Sequence, residues 1–281
     1  MNNLTTLFHG EIIAQGPLAL SASAGHDMIH TVLISLLLAE ILYAQCHRVT
    51  STLQFRALES YDSPVIIESA ATNWTAIQKW TLPYLRDVLQ EVSFPQGNID
   101  SILSNPNSYI FSKIDPVSGF LVTSDDEDKN DLDFEPHQRR FLPLLDVDVG
   151  SFPFFEHDHS KVHHFLLIGG VGSGLCFHNH EEHAFNALLR GTKTWYFYPP
   201  NVNTLGLDPH GYPYWWRDDT AEGRYEFANT IVPRLTERPF ECHQEAGDIM
   251  FVPSLWHHMV INQNKNTVAV NAIKSRTTYF T

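Results

Sequence analysis

The chain has 281 residues, of which 43% are hydrophobic and 18% charged, an ordinary globular composition that excludes a wholly disordered protein. Its 18 lysine and arginine residues face 32 aspartate and glutamate residues, which gives a formal net charge of -14. Such an acidic chain has no overall attraction for phosphate backbones, which excludes nucleic acid as an electrostatically driven partner. Its three cysteines are too few and too far apart in sequence to predict a disulfide scaffold or a cysteine-type zinc site.

The N-terminal region contains one long apolar run, from Met28 to Ala44, with Glu40 as its single acid. The run is at the short end of the range for a membrane span. If translation starts at Met28, the polar break after the run suits signal-peptide cleavage, although no lysine or arginine precedes it. A buried amphipathic helix is the alternative. We therefore predict a disordered, signal or signal-anchor segment over residues 1–47 and a folded domain over residues 48–281.

The first part of that domain predicts helices and one strand. Phe55–Tyr61 favours a short helix, and the apolar residues at 63–67 favour a strand. Trp80–Val92 predicts a longer helix with Pro83 in its first turn. The acidic segment 125–135 predicts a solvated loop, with calcium binding as a minor alternative that lacks the glycine of an EF-hand loop.

After Phe141 the pattern changes to short apolar runs separated by glycine and proline turns. Runs rich in valine, isoleucine and aromatic residues predict strands, and many of them in succession predict an all-β sandwich or barrel. The stretch Asn201–Arg238 predicts an insertion between strands. Its aromatic cluster, Tyr212–Trp216, would form either the rim of a substrate site or a packed lid.

A pair of histidines, His178 and His180, follows a Gly-Ser-Gly turn. Residues i and i+2 of a strand point to the same face, so the spacing places two imidazoles in one space and predicts half of a metal site. A third ligand would come from His257 or His258, between which the spacing does not choose. By contrast, the pair His157 and His159 lies in a polar loop and predicts surface residues.

Two long segments carry a family resemblance. GGVGSGLCFHNHEEHAFNALLRGTKTWYFYPPN, followed by ECHQEAGDIMFVPSLWHHMVIN, resembles the core of a JmjC domain of the cupin superfamily. The upstream FRALESYDSPVIIESAATNWTAIQKWTLPYL is similar to the N-terminal signature of JmjC-only proteins, so the resemblance spans about residues 50–275. It implies a mainly β fold, the double-stranded β-helix or jelly roll, with N-terminal and flanking helices. For active members it implies an Fe(II)- and 2-oxoglutarate-dependent oxygenase.

The resemblance also implies a metal site. His178 falls on the family's first ligand, His258 on the distal one, and His180 on the position of a carboxylate. A site of three histidines is neutral and would accept zinc as readily as iron. A shifted register that uses Glu182 as the carboxylate remains open.

Three further residues match positions that contact the co-substrate in this family. Lys193, in the Gly-x-Lys-x-Trp stretch, would pair with the distal carboxylate of 2-oxoglutarate, since a buried ammonium needs an anionic partner. Asn186 and Asn271 would supply polar contacts. Leu175 stands where hydroxylases usually have a threonine.

The sequence therefore predicts a JmjC-type oxygenase of the protein hydroxylase type, with a protein as substrate or partner. The alternative is a catalytically impaired scaffold or binding protein, with structural zinc, in the secretory pathway. A histone demethylase is the weakest reading, because the net charge of -14 disfavours chromatin. The His-x-His pair resembles an endoplasmic-reticulum-lumenal branch of JmjC-only proteins, which predicts that location, with the cytoplasm as alternative. Membrane contact is predicted only if residues 28–44 act as an uncleaved anchor.

Overall fold

The computed structural model describes residues 46–90, 94, 97–114, 121–122, 147–154, 162–201, 218–235 and 237–274. The chain divides into two compact units, residues 1–43 and 44–281, and every described residue belongs to the second. Within the described residues, none of the helices is long and apolar enough to span a membrane. Outside the described residues lie the predictions for the apolar run, the acidic segment, His157, His159 and the aromatic cluster Tyr212–Trp216.

Strands dominate the described part of the domain. They are β1 (His47–Val49), β2 (Val65–Ile67), β3 (Tyr109–Ile114), β4 (Leu121–Val122), β5 (His163–Gly169), β6 (Gly174–His178), β7 (His183–Arg190), β8 (Thr192–Tyr198), β9 (Phe240–Glu245), β10 (Ile249–Val252), β11 (His257–Asn262) and β12 (Thr267–Lys274).

Short helices precede and interrupt the strands. They are α1 (Thr52–Arg56), α2 (Thr75–Lys79), α3 (Leu82–Leu89), α4 (Ile99–Ser104) and α5 (Ala221–Glu226). Helix α5 continues into a π-helix, Phe227–Ile231, and a 3-10 turn, Val232–Arg234. The longer predicted helix is confirmed as α3, where the Thr81 side chain caps the first turn and Pro83 lies inside it.

The strands form two sheets. The larger has the order β1-β2-β10-β7-β12-β5-β3-β4, and the smaller has the order β6-β11-β8-β9. Every described strand pair except β1–β2 is antiparallel. The prediction of a mainly β jelly roll with N-terminal helices is therefore confirmed.

Strict alternation along the large sheet gives it two buried faces. On β7, Phe185, Ala187 and Leu189 pack into the cluster that contains the N-terminal helices, whereas Ala184 packs into the cluster between the two sheets. Side chains on successive strand residues point to opposite faces, so a strand buried on both sides is apolar throughout. The helices thus cover the outer face and leave the inner face to the cavity described below.

One disulfide was not predicted. Cys46 and Cys242 are bonded, with their Cα atoms 5.0 Å apart although they are separated by 196 positions in sequence. The expectation that the cysteines lie too far apart is wrong for this pair, because sequence separation does not limit distance once the two sheet edges meet. Cys176 is not part of the disulfide.

Candidate metal and co-substrate site

The three predicted histidines meet between β6 and β11. The ring centroids of His178 and His258 are 4.2 Å apart, those of His180 and His258 are 5.2 Å apart, and those of His178 and His180 are 6.3 Å apart. Strand β6 ends at His178, so His180 lies in the connection to β7 rather than on a continuing strand. The structure thus brings the three predicted residues together, although strand alternation describes only His178 and not His180.

A bulge in β6 aims His178 at the cluster. His258 pairs with His178, but Val260 pairs with Leu175, so β6 has one more residue than β11 between these pairs. A bulge of this kind re-aims the residues that follow it. Leu175 and His178 consequently both reach the space between the sheets, where they line the same cavity.

The hydrogen bonds of the three rings fix which nitrogen carries the proton. In each ring Nδ1 bonds to a backbone carbonyl oxygen, which can only accept, so Nδ1 carries the proton and Nε2 keeps its lone pair. This is the tautomer in which imidazole binds a metal through Nε2, with the other nitrogen oriented by an outer partner. The three bonds are His178 to Cys176 O at 2.8 Å, His180 to Glu182 O at 2.8 Å, and His258 to Trp256 O at 2.9 Å.

Burial also keeps these imidazoles neutral. Desolvation lowers the pKa of His178 and of His180, and it lowers the pKa of fully buried His258 well below the ordinary value, assisted by the other two rings. A neutral imidazole is the form that binds metals. In the described part of the chain, no group of three His, Cys, Asp or Glu side chains is already arranged to hold a metal ion. The donor chemistry of the three imidazoles thus fits a divalent metal.

The three rings line a small cavity of about 40 Å³ between the two sheets. Its wall is apolar except for the three imidazoles, Asn186 and Asn271. The Asn186 side-chain amide donates to the Asn271 side-chain oxygen, and Asn186 Oδ1 has no hydrogen-bond partner in the described structure. A buried acceptor without a partner is costly, which favours a ligand donor or a water at this place. The remaining wall consists of Phe111, Leu167, Leu175, Ala184, Trp195, Val252, Val260 and Ile273.

Lys193 is buried next to this wall. Its Nζ donates to Tyr109 Oη at 3.0 Å and lies 5.6 Å from the ring centroids of both Tyr109 and Trp195. Among the described residues no carboxylate pairs with Lys193, and burial alone lowers its pKa to about 7. Burying an amine without a counter-ion is unfavourable, so this arrangement favours an anionic ligand beside Lys193.

The structure also shows where the residues next to the three histidines lie, including the two alternative ligands His257 and Glu182. His257 lies half exposed on the opposite face of β11, near the side-chain nitrogen of Asn179. Glu182 lies beside His180 but is not among the described residues that line the cavity. His183 has the opposite tautomer, because Nδ1 accepts from the Ser254 backbone N–H at 3.0 Å.

Sequence reasoning missed Tyr109 and Gln244. Gln244 Oε1 accepts from Trp195 Nε1 at 2.9 Å, and its Nε2 donates to Asn186 O at 2.8 Å. Gln244 lies in the segment that carries the family resemblance, but its two contacts depend on strands distant in sequence. Tyr109 lies far in sequence from Lys193, and the only signal for it is its position on an alternating strand.

Comparisons with known proteins indicate the family to which the chain belongs. A family profile described as Cupin-like domain matches residues 51–272. Arginine-specific demethylase JMJ22 of Arabidopsis thaliana is 28% identical over 229 residues, covering 78% of this chain and 43% of that protein. Bifunctional arginine demethylase and lysyl-hydroxylase psr-1 of Caenorhabditis briggsae is 31% identical over 225 residues, covering 74% of this chain and 54% of that protein.

A third similar protein, 2-oxoglutarate and iron-dependent oxygenase JMJD4 of Gallus gallus, is 36% identical over 112 residues, covering 38% of this chain and 25% of that protein. The chain therefore spans about half the length, or less, of these curated relatives.

Proposed function

Because the chain belongs to the cupin-like domain family as a JmjC protein of the cupin superfamily, we propose that it is an Fe(II)- and 2-oxoglutarate-dependent oxygenase of the protein hydroxylase type. The observation that carries this proposal is one cavity bordered by two complementary groups. Imidazoles with Nε2 lone pairs line it, and the buried amine of Lys193 lies beside its wall with no anionic partner among the described residues.

Each residue has a defined task in this proposal. The histidines hold the metal through Nε2, and bound Fe(II) with 2-oxoglutarate supplies the oxidising chemistry. The Lys193 ammonium pairs with the distal carboxylate, while Tyr109 Oη accepts from Nζ and so orients it. Asn186 and Asn271 offer amide groups to the co-substrate, and the apolar wall excludes water.

The chain departs from the family pattern at His180. Iron oxygenases of this kind use two histidines and one carboxylate. An imidazole in place of the carboxylate removes one negative charge, so the site holds Fe(II) less tightly and accepts zinc as readily. This departure favours a second candidate function, a scaffold or protein-binding domain with structural zinc and little turnover.

The names of the relatives support a protein as substrate or partner. JMJ22 is named as an arginine-specific demethylase, and psr-1 as an arginine demethylase and lysyl-hydroxylase. JMJD4 is named as a 2-oxoglutarate and iron-dependent oxygenase, which supports the two cofactors. The net charge of -14 opposes a chromatin substrate for this chain.

Turnover of 2-oxoglutarate by the wild type, His180→Asp and Glu182→Ala tests the proposal. We expect weak turnover in the wild type and a gain of at least about tenfold in His180→Asp, because a carboxylate restores the charge of an iron site. If Glu182 is the carboxylate ligand, Glu182→Ala instead abolishes activity that the wild type already has. No turnover in all three proteins, with metal bound, would favour the scaffold. Strong wild-type turnover that survives Glu182→Ala would refute the charge argument.

We also propose that the protein resides in the lumen of the secretory pathway, in the endoplasmic reticulum. The Cys46–Cys242 disulfide supports this location, because structural disulfides persist in oxidising compartments and are rare in the cytosol. The apolar run at 28–44 is compatible with export.

A further inference from the structure

Strand β9 supports the cavity from behind. Cys242 of β9 lies directly opposite Trp195 of β8 in the strand register, and Trp195 forms part of the cavity wall. Two residues along the same strand, Gln244 bonds both the Trp195 ring nitrogen and the Asn186 backbone oxygen. Strand β9 therefore contacts two wall residues, Trp195 and Asn186, from the side away from the cavity.

Strand β9 lies at one edge of the small sheet. Among the described strands it pairs only with β8. Its connections to the edge of the large sheet include the Cys46–Cys242 disulfide and the hydrogen bond from Arg48 Nη1 to His243 O, at 2.9 Å. Cys46 directly precedes β1, a three-residue edge strand, so the disulfide joins the edges of the two sheets.

We propose that this disulfide is a redox-sensitive clamp that holds the cavity wall in place. Reduction by a dithiol breaks the S–S bond and forms one S–H on Cys46 and one on Cys242. Two electrons and two protons come from the dithiol, which becomes a disulfide. Without the covalent link, β1 and β9 separate at the edge, and the wall at Trp195 loosens. Cys46 is half-buried and Cys242 is fully buried, so a small reductant has to approach the bond from the side of Cys46.

The proposed function assigns the co-substrate to this cavity, and the clamp acts on the wall of the same cavity. The test of the clamp does not depend on which ligand the cavity binds. The full chain is compared before and after treatment with dithiothreitol, with reduction verified by mass after alkylation. We expect the melting temperature to fall by about 5–10 °C, as is usual for loss of a native disulfide that closes a long loop. We also expect a red shift of tryptophan emission, and this shift should be smaller in Trp195→Phe, with the remainder coming from Trp256, which packs against Phe240 of β9.

Cysteine variants provide the matched controls. Cys46→Ser should resemble the reduced protein and no longer respond to dithiothreitol, whereas Cys176→Ser should respond like the wild type. A lower melting temperature without any change in Trp195 emission would show that the disulfide stabilises the fold but does not hold the cavity wall. That result would overturn the proposal. Equal melting temperatures for oxidised and reduced protein would overturn it as well. Failure of oxidised protein to bind 2-oxoglutarate would instead count against the proposed function.

Discussion

Lys193 is the residue whose chemistry is least explained by the fold alone. The amine lies on the same face of β8 as Trp195, touches Tyr109 and meets no carboxylate among the described residues. Burial also raises the pKa of Tyr109, so its phenol stays protonated and cannot serve as the missing anion. The family motif made Lys193 predictable from sequence. Tyr109 was not, because its contact with Lys193 depends on the pairing of distant strands.

The lowered pKa of Lys193 makes binding of 2-oxoglutarate depend on pH. Above its pKa of about 7 the free amine is neutral, so binding an anion must take up a proton. Affinity should therefore be constant below pH 7 and fall by about tenfold per pH unit above it. Calorimetric titration with 2-oxoglutarate in saturating Mn(II), between pH 6.5 and 8.5, measures this slope. Lys193→Met should bind weakly at every pH. A flat profile for the wild type, together with equal affinity in Lys193→Met, would exclude Lys193 as the partner of the carboxylate.

At the level of elements, the alternation of β11 and the bulge of β6 decide which histidines meet. Alternation sends His258 inward and His257 outward, and the extra residue in β6 brings His178 opposite His258. The sequence predicted the strands from their apolar periodicity, since that signal is local. It could not predict the bulge or the π-helix after α5, because each depends on partners elsewhere in the chain.

His258 should contribute more to metal binding than His257. We expect His258→Ala to lower bound Zn(II) by at least about tenfold, the scale at which even outer partners of metal ligands act. His257→Ala should have a small effect, because that ring lies on the other face of the strand. Metal analysis after incubation with Zn(II) and desalting measures the bound zinc in both variants. His183→Ala is a buried control whose ring has the opposite tautomer. Equal losses in the His257 and His258 variants would contradict the assignment.

At the scale of the whole molecule, two sheets and the covalent link between their edges define the domain. Composition and turn spacing predicted the class of fold. Strand order and the pairing of Cys46 with Cys242 depend on contacts between distant parts of the chain, which periodicity does not encode.

The location proposed for the protein predicts the state of its cysteines in cells. Of the three cysteines, two form the disulfide, so one should react with an alkylating reagent under denaturing, non-reducing conditions. All three should react after reduction. The free thiols are alkylated at the moment of cell lysis, and mass spectrometry then counts the alkyl groups on the protein. Three reactive thiols before reduction would place the protein in a reducing compartment and contradict the proposal.

The chain passes from the large sheet to the small one, from β7 to β8, through the single residue Gly191. Its φ of +84° suits glycine, and a Cβ there would lie 2.7 Å from Thr267 Oγ1. Asn186 lies on β7 and Lys193 on β8, on either side of this corner. The length of the chain at Gly191 therefore sets the distance between the two residues. We expect an insertion at Gly191 to change the separation of Asn186 and Lys193, and with it the size of ligand that fits between them.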